Sequence, residues 1–405
     1  TGGGTVLVGG DYQGKNLLIQ NASQTYMGAN ATINADAVSS GNGGKVILWG
    51  NNTTQFYGTI TARGGASGGN GGFVEVSGKG WLDFQGVVDT RASFGTSGTL
   101  LLDPTNIFIA LNQGTATTAG MLGADTSANT GPTPFAATGA NQDSLLTTGT
   151  LNGALGLSNV AVTTTNVTGT GVGNITVVDP IVWASANTLT LTAANNIAIN
   201  AGITTGLAGS ALILNAVGNV TQSAVIAGAG GLTKQGAGTV TLSQANTYTG
   251  ATTVSAGTVS VTNATGLGTT AGGTTVASGA TLDINGVAIG AEPLTILGTG
   301  VGGNGALTGT GTASLSGTVA IGAASTIGGA GTLTLSGVVS GTALTKTGAG
   351  TLVLSGAAAN TYTGLTTVSQ GTLSAQKAAA LGTTAGATTV ASGATLDING
   401  VAIGA

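Results

Sequence analysis

Cysteine and histidine are both absent from this 405-residue chain. Together those absences remove Ser-His-Asp and Cys-His catalysis and the commonest transition-metal ligands. Charge is nearly as scarce: 5% of residues are charged, against about 25% in ordinary soluble domains. The 8 Lys and Arg do not cluster, and 12 acids leave a net charge of −4. No basic groove exists to neutralise phosphates or anionic lipid, so nucleic acid is not expected as a partner. Aromatics make up only 3% and prolines number five. No stretch approaches the roughly 20 continuous apolar residues that span a bilayer. No charged-then-apolar signal segment opens the chain, and Thr1-Gly2-Gly3-Gly4 reads as the middle of a turn. The numbering is therefore expected to begin after processing or inside a longer polypeptide. The lack of cysteine has two readings. One is a compositional accident of Gly/Thr/Ala-rich repeats; the other, favoured by the features below, is a chain that crosses an oxidising periplasm unfolded and must not form disulfides there.

What is present is glycine, 76 residues of it, in a chain that is 41% hydrophobic with a mean hydropathy of +0.40. Such hydropathy excludes a disordered chain, and glycine without a three-residue period excludes collagen. The organising feature is repetition. Residues Thr274 to Ala291 recur letter for letter as Thr388 to Ala405, a shift of 114 residues, and Asn246-Thr247-Tyr248-Thr249-Gly250 recurs as Asn360-Thr361-Tyr362-Thr363-Gly364. Slightly upstream, Leu232-Thr233-Lys234 falls on Leu344-Thr345-Lys346 at a shift of 112, so the second copy gains two residues near Ala357-Ala358-Ala359. An insertion that preserves register on both sides belongs in a surface loop. Chains that copy segments so faithfully are arrays, in which one unit stacks on the next.

A shorter period runs through residues 31 to 103, where Val46, Phe56, Gly58 and Arg63 reappear 28 residues on as Val74, Phe84, Gly86 and Arg91. Three strand-like pieces fill that period: Val46 to Trp49, Thr54 to Tyr57 and Thr59 to Ala62. Clusters such as Gly64 to Gly72 separate the coils. Three strands per 28-residue coil predict a parallel β-helix. Each strand then pairs with its equivalent at about 4.8 Å, and alternate side chains enter a narrow core. Phe56 is expected beneath Phe84 inside, with Asp36, Arg63 and Arg91 in an outward column where Asp36 pairs with Arg63. The predicted fold class is all-β, a parallel β-helical solenoid forming one elongated rod. With about 20 to 25 residues per coil it would have roughly 15 rungs and a length on the order of 70 Å. The expected organisation is rungs over 1–111, an irregular excursion or insertion over 112–158, further rungs over 159–230, and the 114-residue repeats over 231–405. Within the excursion the one helical hint is Asp143-Ser144 ahead of Leu145, Leu146, Leu151 and Leu155.

Two family resemblances follow from these residues. Gly43 to Trp49, Thr54 to Ala62, Gly71 to Gly78, Leu100-Leu101-Leu102-Asp103-Pro104-Thr105-Asn106-Ile107, and Gly173 to Val177 with Trp183 and Leu189-Thr190-Leu191 resemble the haemagglutinin-type exoproteins of two-partner secretion, the filamentous haemagglutinin group. Residues 231–405 resemble autotransporter-associated β-strand repeats, through Leu232 to Thr239, Asn246 to Gly250 and their second copies. The resemblance implies a right-handed β-helical surface protein, secreted by a Gram-negative cell and used for adhesion or matrix building. It implies an outer-membrane transporter as partner during export, although neither an amino-terminal secretion domain nor a carboxy-terminal membrane barrel is identifiable.

The remaining chemistry is thin. The nearest approach to an acid cluster is Asp83, Asp89, Arg91 and Asp103, which reads as a solvated column rather than a catalytic or calcium-binding group. No Asp follows the Gly-Gly-x-Gly turns where a calcium roll needs it, and no Gly-Lys-Ser/Thr makes a phosphate loop. Thr-x-Thr runs such as Thr188 to Thr192 could order water, but serine, alanine and glycine interrupt them. Threonine is also simply well tolerated on strands. Trp49, Trp81, Trp183, Tyr57, Tyr248 and Tyr362 could stack on sugar rings, but most are expected to fill the core or cap a groove. Tyr248 and Tyr362, each after an Asn-Thr turn, are the better candidates for stacking on a glycan. No catalytic residue, cofactor or metal is expected. The sequence thus reads as a secreted, non-enzymatic, cell-surface structural protein for adhesion or extracellular fibre and matrix building. Its expected partners are further copies of itself, or a host or neighbour-cell glycan or protein. The alternative is a β-helical carbohydrate-active enzyme or carbohydrate-binding protein.

Overall fold

A computed structural model describes residues 2–122, 143–165 and 171–401. The chain is nearly all β, and its short strands pair in parallel with strands one coil away, so the fold is a parallel β-solenoid. It divides into two compact units, Thr1–Gly218 and Asn219–Ala405.

In the first unit one face is built from strands Thr5–Val8, Lys45–Gly50, Phe73–Gly78, Thr99–Leu102, Asn159–Thr163, Thr188–Ala193 and Ala211–Ala216. The register places Val46, Val74, Leu100, Val160, Leu189 and Leu212 directly over one another. All six are buried. Alternation along each strand sends these side chains into the core, and the parallel register keeps them in one file. A second face, Gln24–Met27, Thr53–Phe56 and Trp81–Phe84, carries the aromatic pair expected from the 28-residue period. Phe56 and Phe84 are in register, stacked with ring centroids 5.2 Å apart and planes inclined by 22°. Gly86 is part of the same device, because a Cβ there would lie 2.4 Å from Cε1 of Phe56. The third face comprises Thr32–Asn34, Thr59–Thr61 and Val87–Asp89.

The stretch after Ala110 contains more regular structure than its composition suggests. Helix α1, Gln113–Thr118, is opened by Asn112, whose side chain accepts from the Thr115 amide in a capping box. Ser144–Thr147 is a strand that pairs in parallel with Ile107–Ala110. Helix α2, Thr148–Leu157, follows at once, capped by Thr147. The helix therefore begins at Thr148, three residues later than a start directly after Asp143-Ser144 would place it. Asp143 instead accepts from Asn106 Nδ2 at 2.9 Å and from the Leu122 amide at 2.8 Å. Leu151 and Leu155 of α2 are fully buried. Residues 123–142, including Gly131-Pro132-Thr133-Pro134, lie outside the described residues.

In the second unit the first face runs through Gly231–Gln235, Thr252–Val254, Thr274–Val276, Leu294–Ile296, Val319–Ile321 and Val339–Gly341. The second face includes Thr239–Leu242, Thr258–Val261, Thr281–Asn285, Leu307–Thr310, Thr326–Gly328, Leu344–Lys346, Thr366–Val368 and Thr388–Val390, and the third runs from Ala288–Ile289 to Thr395–Ile398. The core files are aliphatic: Val254, Val276, Ile296 and Ile321 on the first face, and Val240, Val259, Leu282, Leu307 and Ile327 on the second. The two copies of the long repeat do not share a face. Leu232-Thr233-Lys234 lies on the first face and Leu344-Thr345-Lys346 on the second, so one repeat period advances the chain by whole coils plus one face.

Candidate functional site

The repeat places its polar residues inside the solenoid. Strand alternation puts Lys234 in phase with buried Leu232, and Lys234 is itself 1% exposed. Its Nζ donates to the carbonyls of Gln235 at 2.6 Å, Gly236 at 2.7 Å and Ala256 at 3.2 Å. Lys346 repeats the arrangement with Thr347, Gly348 and Gln370 at 2.8, 2.7 and 3.1 Å. Each ammonium thus ties the turn of its own coil to the turn of the next. The turns need glycine: Gly236 and Gly257 have φ of 76° and 65°, and Gly348 and Gly371 have 74° and 65°. Burial lowers the pKa of both lysines to about 8. Three carbonyl acceptors around each favour the charged form at neutral pH.

Asn246 makes a second internal bridge. Its Oδ1 accepts from the Ile226 amide at 2.9 Å in the coil below, and its Nδ2 donates to the Gly266 carbonyl at 2.7 Å in the coil above. Asn360 does the same with the Val339 amide and the Ala380 carbonyl, at 2.8 and 2.7 Å. The neighbouring tyrosines correct the sequence expectation. Tyr248 and Tyr362 are both 0% exposed, with hydroxyls bonded to Thr252 Oγ1 at 2.7 Å and Thr366 Oγ1 at 2.8 Å. Burial pushes the Tyr362 phenol up to about 12 and raises that of Tyr248 further. Their rings pack against Gly268 and Gly382, where a Cβ would lie 2.8 and 2.7 Å from a ring carbon. A ring enclosed in this way presents no face to a sugar. The Asn-Thr turn sends its tyrosine inward because a chain so poor in large side chains needs the ring to fill the coil corner.

The acids singled out from the sequence are dispersed. Asp83 accepts from the Tyr57 hydroxyl at 2.6 Å and Gln85 Nε2 at 2.8 Å. Asp89 holds Arg91, and Asp103 accepts from Thr163 Oγ1 and Gln13 Nε2. Asp83 and Asp89 lie on strands of two different faces and Asp103 directly follows a strand of a third, so the four residues do not converge. The structure instead brings buried Glu75 near Asp103, beneath a segment the sequence reading passed over. The turn Tyr12–Gly14 lies across the outward side of the first face. There the Gln13 amide donates to both Glu75 oxygens at 3.1 Å. Gln13 holds a φ of 52°, and Gly14 sits so close to Trp49 that a Cβ would be 2.6 Å from its ring. Desolvation is the main reason the Glu75 carboxyl is raised to about 7, with the Asp103 charge adding to it. Both acids are 0% exposed, so this is a sealed clamp rather than an open acid pair. Trp49, Trp81 and Trp183 are buried as expected.

On the outside, Arg63 donates from Nε and Nη2 to Asp36 at 3.0 and 2.7 Å, as the outward column predicts. Arg91 forms its ion pair with Asp89 of its own coil, at 2.7 Å. Among the described residues no group of three or more Asp or Glu is placed to hold a metal, and no helix is long and apolar enough to cross a membrane.

The family model of the passenger-associated-transport-repeat matches residues 232–261 and 344–375. These two segments contain the Lys234 and Lys346 turn clamps, the Asn246 and Asn360 bridges and the two buried tyrosines. No curated protein matches the chain. The repeat matches and the β-solenoid together fit an autotransporter-type passenger repeat protein, and they suggest a secreted or outer-surface protein of a Gram-negative bacterium.

Proposed function

We propose that the chain is a non-enzymatic structural protein of the cell exterior, whose solenoid units serve adhesion or the building of extracellular fibres. The observation that supports this most directly is the inward placement of the matched repeats' polar residues. Lys234 and Asn246, with Lys346 and Asn360, bond coil to coil, and the buried Tyr248 and Tyr362 fill the coil corners beside them. A repeat that commits its distinctive side chains to holding adjacent coils together makes a scaffold. Such a scaffold can also form coil by coil, because each coil contacts only its neighbours. That suits a chain exported unfolded and without disulfides, through an outer-membrane transporter as partner.

The experiment is protease treatment of intact cells, followed by detection with an antibody to the chain. Accessibility at the outer surface, or recovery in the medium, is the expected result. A chain found only inside the cell envelope overturns the reading. For the two roles, electron microscopy of cell surfaces with and without the chain separates fibre loss from loss of attachment.

A further inference from the structure

We infer that the first unit carries a binding cleft for a carboxylate-bearing polysaccharide, with Arg63 and Arg91 as its recognition pair. The two arginines stand one coil apart, about 4.8 Å at the strand spacing. Both line an open cleft of about 540 Å³ together with Asp36, Val38, Ala92 and Ser93. Their side chains are 48% and 56% exposed.

The geometry fixes which edge of each guanidinium is free. Arg63 places Nε and Nη2 on Asp36, and Arg91 places the same two atoms on Asp89 at 3.0 and 2.7 Å. Nη1 of each has no partner among the described residues. Two guanidinium groups therefore line one cleft, each held in place by an ion pair on its Nε–Nη2 edge. Holding the side chains in advance lowers the ordering cost of binding, and a planar guanidinium suits a planar carboxylate.

The cleft wall favours a saccharide over an extended peptide. The coils here are already bonded to one another: the Ala37 amide donates to the Arg63 carbonyl and the Gly64 amide to the Arg91 carbonyl, both at 3.0 Å. Those two amides cannot pair with an added strand. Val38 is 80% exposed at one end of the cleft, and Phe94, the residue after Ser93, is 72% exposed near the other. Apolar surface beside paired donors matches a uronate, which has C–H faces and a carboxylate on one ring. Asp36 and Asp89 balance the arginine charges, so recognition rests on directed donation rather than on a broad positive field.

This assignment rests on the adhesive form of the proposed function, and a binding assay in solution can fail without disturbing the surface reading. Calorimetric titration of the full chain would use oligogalacturonate, its fully methyl-esterified form, dextran sulfate and poly-glutamate. The expected result is binding of the free acid, at least tenfold weaker binding of the ester, and at least tenfold weaker binding of the acid by R63Q/R91Q. Equal binding of acid and ester overturns the proposal, as does unchanged binding by a folded R63Q/R91Q variant. Poly-glutamate bound as tightly as the uronate would overturn the saccharide assignment. Binding of dextran sulfate with none of the uronate would overturn the carboxylate assignment. Should R63Q/R91Q fail to fold, S93E decides: it adds a competing carboxylate at an exposed position, and unimpaired binding by it overturns the proposal.

Discussion

At the scale of single residues, three buried titrating groups, Glu75, Lys234 and Lys346, shape how stability should respond to pH. Glu75 has its carboxyl raised to about 7 from an ordinary 4.5. The unfolded chain therefore holds fewer protons than the folded one between those values, and stability falls as pH rises through that window. Replacing Glu75 with glutamine removes this slope. E75Q should match the wild type near pH 4.5 and exceed it at pH 8 by up to about 3 kcal/mol, read from urea unfolding midpoints at both pH values. The lysines act with the opposite slope. Lys234 and Lys346 are lowered to about 8 from 10.5, so the unfolded chain holds more protons in that window and stability rises with pH from about 8 to 10.5. K234M/K346M loses this rise. At pH 7 it strands several turn carbonyls, which should destabilise by about 1–3 kcal/mol at each site. An equally stable methionine variant at pH 7 would mean that the carbonyls find water instead. The inward lysines were legible in principle, since Leu-Thr-Lys puts leucine and lysine two residues apart on one side of a strand. Glu75 was not legible, because the turn that covers it lies more than 60 residues away in sequence.

At the scale of the element, the turns set the fold as much as the strands do. The 28-residue period identified the strands and the Phe56–Phe84 stack correctly, because alternation and register follow directly from the pleat. Truncating Phe84 to alanine should cost about 3–5 kcal/mol. Because each coil touches only its neighbours, the loss should show in hydrogen exchange at residues 53–56 and 81–84, with the strands beyond Thr239 unchanged. The sequence also placed Tyr248 and Tyr362 in turns, but not which way they face. The direction depends on Gly268 and Gly382, twenty residues downstream, where the missing Cβ leaves room for the ring and the φ of 80° suits glycine. G268A or G382A should therefore destabilise by about 1–3 kcal/mol through backbone strain and displacement of the ring. Y248F should lose only the Thr252 hydrogen bond, about 1 kcal/mol. Helix α1 is not legible in the sequence, because Asn112 opens the irregular stretch over 112–158 and no periodic apolar pattern follows it. Its role as a cap depends on Thr115 returning a bond, which is a local pairing rather than a periodic signal.

At the scale of the whole chain, the scarcity of charge has a measurable consequence. The all-β solenoid followed from hydropathy and repeat spacing, because stacked coils need like residues in files. The way the 114-residue repeat advances by one face was not legible, since sequence identity records the period of the copy and not the number of residues per coil. That advance sends equivalent residues such as Thr233 and Thr345 outward on different faces of the second unit. Identical repeats therefore do not build one uniform outer strip, and a ligand-binding surface has to come from neighbouring coils, as at Arg63 and Arg91. The fold itself is held by apolar files, turn carbonyls and side-chain amides. The ion pairs Lys45–Asp11, Arg63–Asp36 and Arg91–Asp89 are all partly exposed, and such pairs contribute little. Salt screens exposed charges but leaves buried apolar contacts and hydrogen bonds largely intact. The urea midpoint of the chain should accordingly shift by no more than the equivalent of about 1 kcal/mol between 20 mM and 1 M NaCl. A larger loss of stability in high salt would locate the holding energy in charge pairs instead. That result would contradict the inward ladder of lysine, asparagine and tyrosine from which the structural role is argued.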